Sequence, residues 1–340
     1  MPNPTLNDVH VDRPLTNISI AYMQNPAGFV ADTVFPGVPV QKRSDRYFRY
    51  DRSDFFRNQM QKRAPGDESA GSGFKLKNND TYFCEKWALH KDIDDDTRAN
   101  TDDPLNMDRD ATLFLSQQAL INREVNWASK YFTTAVWSGV TGSTGTDVTG
   151  ESTTPSTNQV LQWNDSHSTP IEDIRFYNTS IHSRTGYRAN KLVIGRQVWD
   201  KLADHPEIVD RIKYGASPGA PAIITRRAVA ALMELDDILV MDGIYNTGAE
   251  EASFEGGLAG TFIGGKAALL VYAAPGPSLM QPSGGYTFNW VGLMGAGGMG
   301  QRMKTFRIEP RESDRLEIEQ AYDQNLIASD MGVFFTAIVA

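Results

Sequence analysis

Four stretches of this chain carry residue types at spacings that could do chemistry. Gly260, Gly265 and Lys266 have the spacing of a phosphate-binding loop, in which backbone N–H groups cradle an anion and the lysine reaches its far end. Position 267 is alanine, so the hydroxyl that would hold Mg2+ is missing, and Ala267 to Ala274 reads as a strand, not as a helix whose N-terminus could face phosphate. Gly295, Gly297 and Gly300 match a dinucleotide fingerprint in letters. The roughly 40 residues that follow are strand-rich and broken by Pro310, which leaves no room for the helix of that fold. Gly215, Ser217 and Gly219 imitate a nucleophile elbow, but that arrangement needs a histidine later in the chain and the last one is His205. Asp92, Asp94, Asp96, Asn100 and Asp103 fall at calcium-loop positions, with Thr97 where the sharp turn needs glycine and Asp103 where a bidentate glutamate belongs. That run reads as a solvated acidic loop; the alternative is a weak cation site at a subunit contact. The histidines at 10, 90, 167, 182 and 205 show no ligand spacing, and the lone Cys84 excludes an internal disulfide or thiolate cluster. No catalytic residue, cofactor or metal is assigned.

The elements around these motifs suggest a different kind of protein. Residues 1–36 read as an extended arm: prolines at 2, 4, 14, 26 and 36 prevent a long helix, while Val9, Val11, Ile18, Ile20 and Tyr22 alternate like strand residues. Residues 37–93 read as an extended hairpin loop, its arms Val38 to Tyr50 and Phe83 to Ile93, with a flexible tip from Arg63 to Gly73. In the return arm Phe83, Trp87, Leu89 and Ile93 share one face and Cys84, Lys86, His90 and Asp92 the other. A two-stranded ribbon is marginal in water, so its apolar face must rest on something, in this chain or in a neighbour.

The acidic run Asp92 to Asp110 leads into a helix expected from Asn106 to Trp137, with Asp102 or Asp103 as its cap before Pro104. Met107, Ala111, Phe114, Ile121, Val125, Ala128, Phe132 and Ala135 recur at helical spacing, with a second ridge at Leu113, Leu120 and Trp127. At 1.5 Å per residue that rod would be about 48 Å long. The Gly/Ser/Thr tract from Gly139 to about Asn158 reads as a flexible surface insertion. An α/β unit over 170–295 contains helices at 171–188, 196–214 (kinked at Pro206) and 225–235, and apolar strands at 191–195, 237–241 and 262–274. Strands at 303–308, 315–322 and 333–339 close the chain.

The formal net charge of −9 over 340 residues argues against a general affinity for phosphate backbones. Locally, however, Lys42, Arg43, Arg46, Arg49, Arg52, Arg57, Lys62 and Arg63 interleave with Tyr47, Phe48, Tyr50, Phe55 and Phe56. With acids inside the run, it reads as a face that pairs with acidic patches on a like neighbour, the run at 92–110 being a candidate complement. The candidate inter-subunit contacts are therefore Arg43, Arg46, Arg49, Arg52, Arg57, Arg63, Trp87, Asp94, Asp95 and Asp96. No basic-plus-apolar leader opens the sequence, and no stretch approaches the ~20 apolar residues of a membrane span, so a soluble product of a reducing cytoplasm is expected, with no membrane partner.

In this order the parts resemble the major capsid proteins of tailed double-stranded DNA phages, with the fold typified by bacteriophage Hong Kong 97. Phe29 to Pro39 with Arg46 to Tyr50 is similar to the family's arm entering its extended loop, and Arg63 to Gly66 to the tip of that loop. Met107 to Trp137 resembles the spine helix, and Phe306 to Ile308, Leu316 to Ile318 and Gly332 to Thr336 the strands that return to the peripheral domain. The resemblance implies an α+β Hong Kong 97-like capsid fold. Its parts would be an N-terminal arm (1–36), an extended β-hairpin loop (37–93), a peripheral domain with spine helix 106–137 and flexible insertion (94–169), an axial domain (170–295) and return strands (296–340).

It further implies a structural protein of the virion, not an enzyme, that self-assembles in the host bacterial cytoplasm into hexamers and pentamers. These would form an icosahedral shell around packaged DNA, held by proximity without sequence-specific binding. The implied partners are a portal, a scaffold (expected to be a separate protein, since no scaffold-like segment precedes the arm) and a decoration protein. Some members crosslink loop lysines; Lys62, Lys75 and Lys77 occupy that region here without an identifiable partner. The alternative is a non-viral oligomeric enzyme or ligand-binding protein built on residues 170–300.

Overall fold

A computed structural model describes residues 23–101, 105–215, 224–248, 260–277, 281–294 and 300–340. The chain enters along an arm. Asn25 accepts the Ala27 N–H to cap a single turn at Pro26–Gly28, and α1 (Ala31–Val34) follows. After β1 (Gly37–Val40), β2 (Ser44–Tyr50), α2 (Arg52–Phe55) and β3 (Leu76–Phe83) make a protruding loop. β4 (Glu85–Asp94) and α3 (Asp95–Ala99) lead to the long α4 (Met107–Tyr131). Next come β5 (Val148–Glu151), β6 (Gln159–Leu161), α5 (Pro170–Thr185), β7 (Lys191–Gly195), α6 (Arg196–Ala203), α7 (Pro206–Gly215), α8 (Arg226–Leu232) and β8 (Asp237–Met241). β9 (Ile244–Tyr245) pairs with β10 (Thr261–Phe262), and β11 (Ala268–Val271), β12 (Gly285–Trp290), α9 (Val291–Met294), β13 (Gln301–Ile308), β14 (Ser313–Leu326) and β15 (Gly332–Thr336) complete the fold.

Two sheets organise these elements. The six-stranded one has the order β6-β5-β15-β11-β7-β8. Its central strands are apolar on both faces, as strands covered on both sides must be. Leu192, Ile194, Leu270, Val333 and Phe335 point into one cluster with Ile174, Ile181, Leu202 and Val229 of the helices. Val193, Leu269, Val271 and Phe334 point the other way, onto Trp127 of α4 and Val34 and Phe35 of the arm. The second sheet is built around β14, which pairs with β4 on one side and with β13 and then β12 on the other, while β1 joins β12 in parallel. Helix α4 covers one face of it, with Ala111, Leu115 and Ala119 packed against Ile93, Leu316 and Ile318.

Several expectations are corrected. The loop pairs β2 with β3, Ser44 opposite Phe83 and Tyr50 opposite Leu76; residues 85–94 instead pair along β14. The chain leaves the loop at Cys84, whose N–H donates to the Arg43 carbonyl (2.9 Å) and whose side chain is buried with Tyr82 and Phe288. Leu89 and Ile93 pack under α4 as their spacing suggested, but Phe83, expected on that face, stays half exposed. Helix α4 ends at Tyr131, not Trp137. Trp137 folds back so that its Nε1–H donates to the Tyr131 carbonyl (2.7 Å), while Ala135 turns through φ 63°. The apolar spacing continued past the helix because these residues are buried in the turn. The helix is capped by Asn106, whose side chain accepts from the Arg109 N–H (3.0 Å); Asp102 and Asp103 lie outside the described residues.

The buried line on α4 also differs, running through Ala111, Leu115, Ala119, Arg123 and Trp127, with Leu113 and Phe114 exposed. The tract after Gly139 is not a mere insertion. β5 and β6 extend the six-stranded sheet, Val148 is fully buried, and a Cβ at Gly139 would meet the Gly332 carbonyl oxygen at 2.4 Å. β15, expected with the peripheral strands, also joins that sheet, because Val333 and Phe335 complete its helix-covered core. At Pro206 the helix breaks into α6 and α7, since proline has no N–H to continue it. The apolar run 262–274 contributes only β11 in full, residues 263–267 being spent on a turn. The alternating arm residues Val9 to Tyr22 lie outside the described residues.

This packing makes a contrast that the apolar spacing alone does not. Trp127 is fully buried, edge-on to Phe35 (5.8 Å between centroids) and 6.0 Å from Phe132. Trp127→Ala should cost about 3–5 kcal/mol of unfolding free energy in urea titrations. Phe114→Ala, at a site 46% exposed, should change it by roughly 0.5 kcal/mol or less.

Candidate functional site

The surfaces that could carry function begin with the arm. Two consecutive residues of α4 hold it. The Glu124 carboxylate accepts the Val30 N–H through both oxygens (3.0 Å each) and the Ala31 N–H (2.8 Å), at the start of α1. Arg123, also buried, pairs with Asp32 (2.6 Å), donates to Asn289 of β12 (3.1 Å) and lies over the Tyr322 ring of β14. Lys191 of β7 donates to the Thr33 carbonyl (2.7 Å), and Thr287 of β12 to the Phe35 carbonyl (3.0 Å). Burial pushes the Glu124 carboxyl up to about 7 from an ordinary 4.5, against the lowering effect of the two amides. Sequence reasoning missed this clamp. Its signal was a charged pair whose helical neighbours at three and four residues, Ala119, Leu120, Ile121, Asn126, Trp127 and Ala128, are all apolar but Asn126.

The protruding loop is the second surface. Phe48, Phe55, Phe56, Met60, Phe74, Leu76 and Phe83 are all exposed. Tyr50, Phe55 and Phe74 form a triangle of rings 5.7–5.9 Å apart. The lobe between the strands is closed by Asp54, which accepts the Lys75 N–H (2.8 Å). Arg52 pairs with Asp330, and the Phe56 ring sits against Gly186 at the end of α5, so the lobe leans on its own body at its base. Residues 41–83 hold ten lysines and arginines against six acids, +4, which leaves −13 on the remainder of the chain.

Each candidate contact residue has a definite place. Arg43 stacks over the Phe83 ring (4.5 Å) and donates to the Cys84 carbonyl (3.2 Å). Arg49 approaches Asp80 across the hairpin (3.8 Å), Arg63 donates to the Asp67 carbonyl, and Arg46 and Arg57 are exposed. Several of the acids proposed as their complement are engaged within the chain. Asp92 pairs with Arg315 (2.6 Å) and Arg311 (3.2 Å), and hydrogen bonds from Arg315 hold it below the usual carboxylate range. Asp94 caps α3 by accepting the Thr97 N–H (2.9 Å), and Asp95 pairs with Arg307 (2.5 Å), while Asp96 is exposed. Trp87, half exposed, edges a cleft of about 220 Å3 between α4 and the β4–β14 pair.

The chemical motifs resolve into packing. The turn Gly264–Lys266 precedes β11, not a helix, and a Cβ at Gly195 would lie 1.9 Å from the Gly265 carbonyl oxygen, so these glycines serve a close chain crossing. Ser217 with Gly219, and Gly295 with Gly297, lie outside the described residues. Asp103 does too, and the described part of the calcium-like run is occupied by arginines and a helix cap.

Comparison with known proteins adds four likenesses. The family model described as phage major capsid protein E matches residues 151–275. The major capsid protein of Pseudomonas phage JBD67 is 25% identical over 242 residues, covering 69% of this chain and 70% of that protein. Among solved structures, a phage-related protein from Bordetella bronchiseptica superposes with TM-score 0.64 at 19% identity over 92% of both chains. The capsid of cyanophage P-SCSP1u gives 0.60 at 10% identity, over 97% of this chain and 93% of that one.

The Glu124 clamp has a pH signature. Between about 4.5 and 7 the folded chain keeps a proton that the unfolded chain has lost, so stability falls as pH rises through that window and levels off above it. Urea titrations from pH 4.5 to 8 should show wild type losing up to about 3 kcal/mol relative to Glu124→Gln. Parallel curves would mean that the carboxylate is ionised throughout.

Proposed function

We propose that this chain, whose fold is the Hong Kong 97-type capsid fold, is the major capsid protein of a tailed phage. It is a capsid-forming, self-assembling structural protein. The observation that carries the reading is the coincidence of two facts: the fold matches a cyanophage capsid chain over 97% of its length, and the loop exposes a row of large apolar side chains. Fold alone suits any closed shell. The likeness over residues 151–275 and to the JBD67 protein is what favours a phage head.

In this reading hexamers and pentamers of the chain form an icosahedral shell around double-stranded DNA. The shell is assembled in the bacterial cytoplasm with a portal and a scaffold, and a decoration protein can be added to the finished head. The loop is the joint between copies, since Val30, Val34 and Phe35 of the arm are already packed in their own chain. Covering one large apolar side chain is worth roughly 1.5–3 kcal/mol gross. Association and ordering costs remove much of it, so no single contact holds the shell, and closure over many copies does. The net acidity supports DNA kept by confinement, with the duplex inside held off by like charge over most of the protein. The alternative is a non-viral oligomeric enzyme or ligand-binding protein built on residues 170–300; a tight, specific small ligand in purified protein with only small oligomers would favour it.

The loop provides the test. Replacing residues 53–73 by an Asn-Gly turn keeps the β2–β3 ladder and removes the exposed lobe. The variant should fold, with native circular dichroism and cooperative melting, yet give no shells or capsomers in negative-stain micrographs where wild type, with its scaffold, gives them. Normal shells from this variant would remove the loop from assembly.

A further inference from the structure

Residues 24–32 of the arm are held to the body mainly by polar contacts. Gln24 exchanges two hydrogen bonds with Ile244 (2.6 and 2.8 Å), and the Asp242 N–H donates to the Gly28 carbonyl (3.2 Å). Only Gly28, Val30 and Ala31 are buried in this stretch. The rest of the hold is the Glu124 carboxyl on the Val30 and Ala31 amides and the Arg123–Asp32 pair. Past the exposed Thr33 the grip changes, with Val34 and Phe35 fully enclosed in the core. Segments with few buried contacts open separately from the fold that carries them, which places a hinge at Thr33.

Charge decides whether it opens. Ionised together, Glu124, Asp32 and Arg123 leave one uncompensated negative charge in a site where Glu124 is 1% exposed and Arg123 4%; one bound proton makes the site neutral. The other elements packed against the arm do not correct this. Lys191 of β7 donates to the Thr33 carbonyl and lies in the field of Asp237 and Asp236. Asp242, after β8, is paired with Arg196 (3.5 Å) and Arg226 (3.4 Å). Tyr131 of α4 and Tyr322 of β14 are phenols that burial keeps neutral. Burial therefore outweighs the two amides and, with Asp32 adding to it, pushes the Glu124 carboxyl up to about 7. A buried net charge is costly, whereas an open arm lets water reach Glu124. We infer that the arm is a latch: it stays shut while this site keeps its proton and opens over residues 24–32, with both sheets intact, once the proton leaves. The closed arm holds a proton that the open arm releases, so raising the pH favours opening. The device belongs to the single chain and stands whether or not copies assemble.

Hydrogen exchange of the full chain, read by mass spectrometry and corrected for the base-catalysed intrinsic rate, tests this at the two amides the latch holds, Val30 and Ala31. Both should exchange faster than the Leu192, Val193 and Ile194 amides of β7 at every pH, as an arm that opens alone requires. In wild type their protection should fall on the order of 100-fold from pH 5 to 8. In Glu124→Gln, which keeps an acceptor oxygen but no titrating charge, it should stay level. Asp32→Asn removes part of the excess negative charge, so its fall should be smaller and level off at a lower pH. Protection that is flat with pH in wild type, or arm amides exchanging no faster than those of β7, would overturn the proposal. So would a fall in either variant as large as that of the wild type.

Discussion

The fold depends on burying one aromatic ring of the arm. Phe35 is fully enclosed, with its ring centroid 5.8 Å from Trp127, 4.9 Å from Tyr131 and 6.5 Å from Trp137. A Cβ at Gly285 would meet that ring at 2.3 Å, so β12 must pass it as glycine. Around Phe35 meet the arm, the end of α4, the start of β12 and the back face of the six-stranded sheet. The Glu124 and Arg123 clamp fixes the arm's register over this site, and Trp137 completes the enclosure by doubling back beneath β15, where Gly332 leaves it space.

The second sheet manages charge. On the face away from α4, Glu319 is 1% exposed and is met by Lys86 from β4 and by Arg302 (2.5 Å) and Lys304 (2.8 Å) from β13. Burial alone would raise this carboxyl, yet the three cations hold it far below its usual range. Removing one partner of such a group leaves uncompensated buried charge, so this patch acts as a rivet across three strands. Further along, Asp92 and Asp95 are tied by Arg315 and Arg307. Asp92 and Asp95 thus stabilise their own sheet. The loop's arginines are far more exposed, and attraction between copies is left to the general charge imbalance and to apolar contact.

What could be read from the residues alone follows from how local each cause was. β7 at Lys191–Gly195 and β8 at Asp237–Met241 fall where continuous apolar runs put them, since a strand covered on both faces states its extent in its own letters. The existence of α4 was equally plain. Its end was not, because Trp137 is buried by a turn in the same spacing that a helix would use. The partner of β4 was out of reach. Whether residues 85–94 pair with the loop or with β14, more than 200 positions away, is decided by Cys84 and Tyr82 finding Phe288, and no local pattern carries that choice. The arm clamp was visible only as a misplaced charged pair. The cleft beside Trp87 had no signal at all, since it arises from what Ala119 fails to fill between two elements.

The central claim is that the loop's exposed apolar row is an interface between copies. Hydroxyl-radical footprinting of Phe48, Phe55, Met60 and Phe74, in free subunits and in assembled particles, measures this directly. Strong protection of these four side chains on assembly, with Phe35 and Trp127 unreactive in both states, is the predicted outcome. Equal labelling of the four in subunit and particle would contradict it.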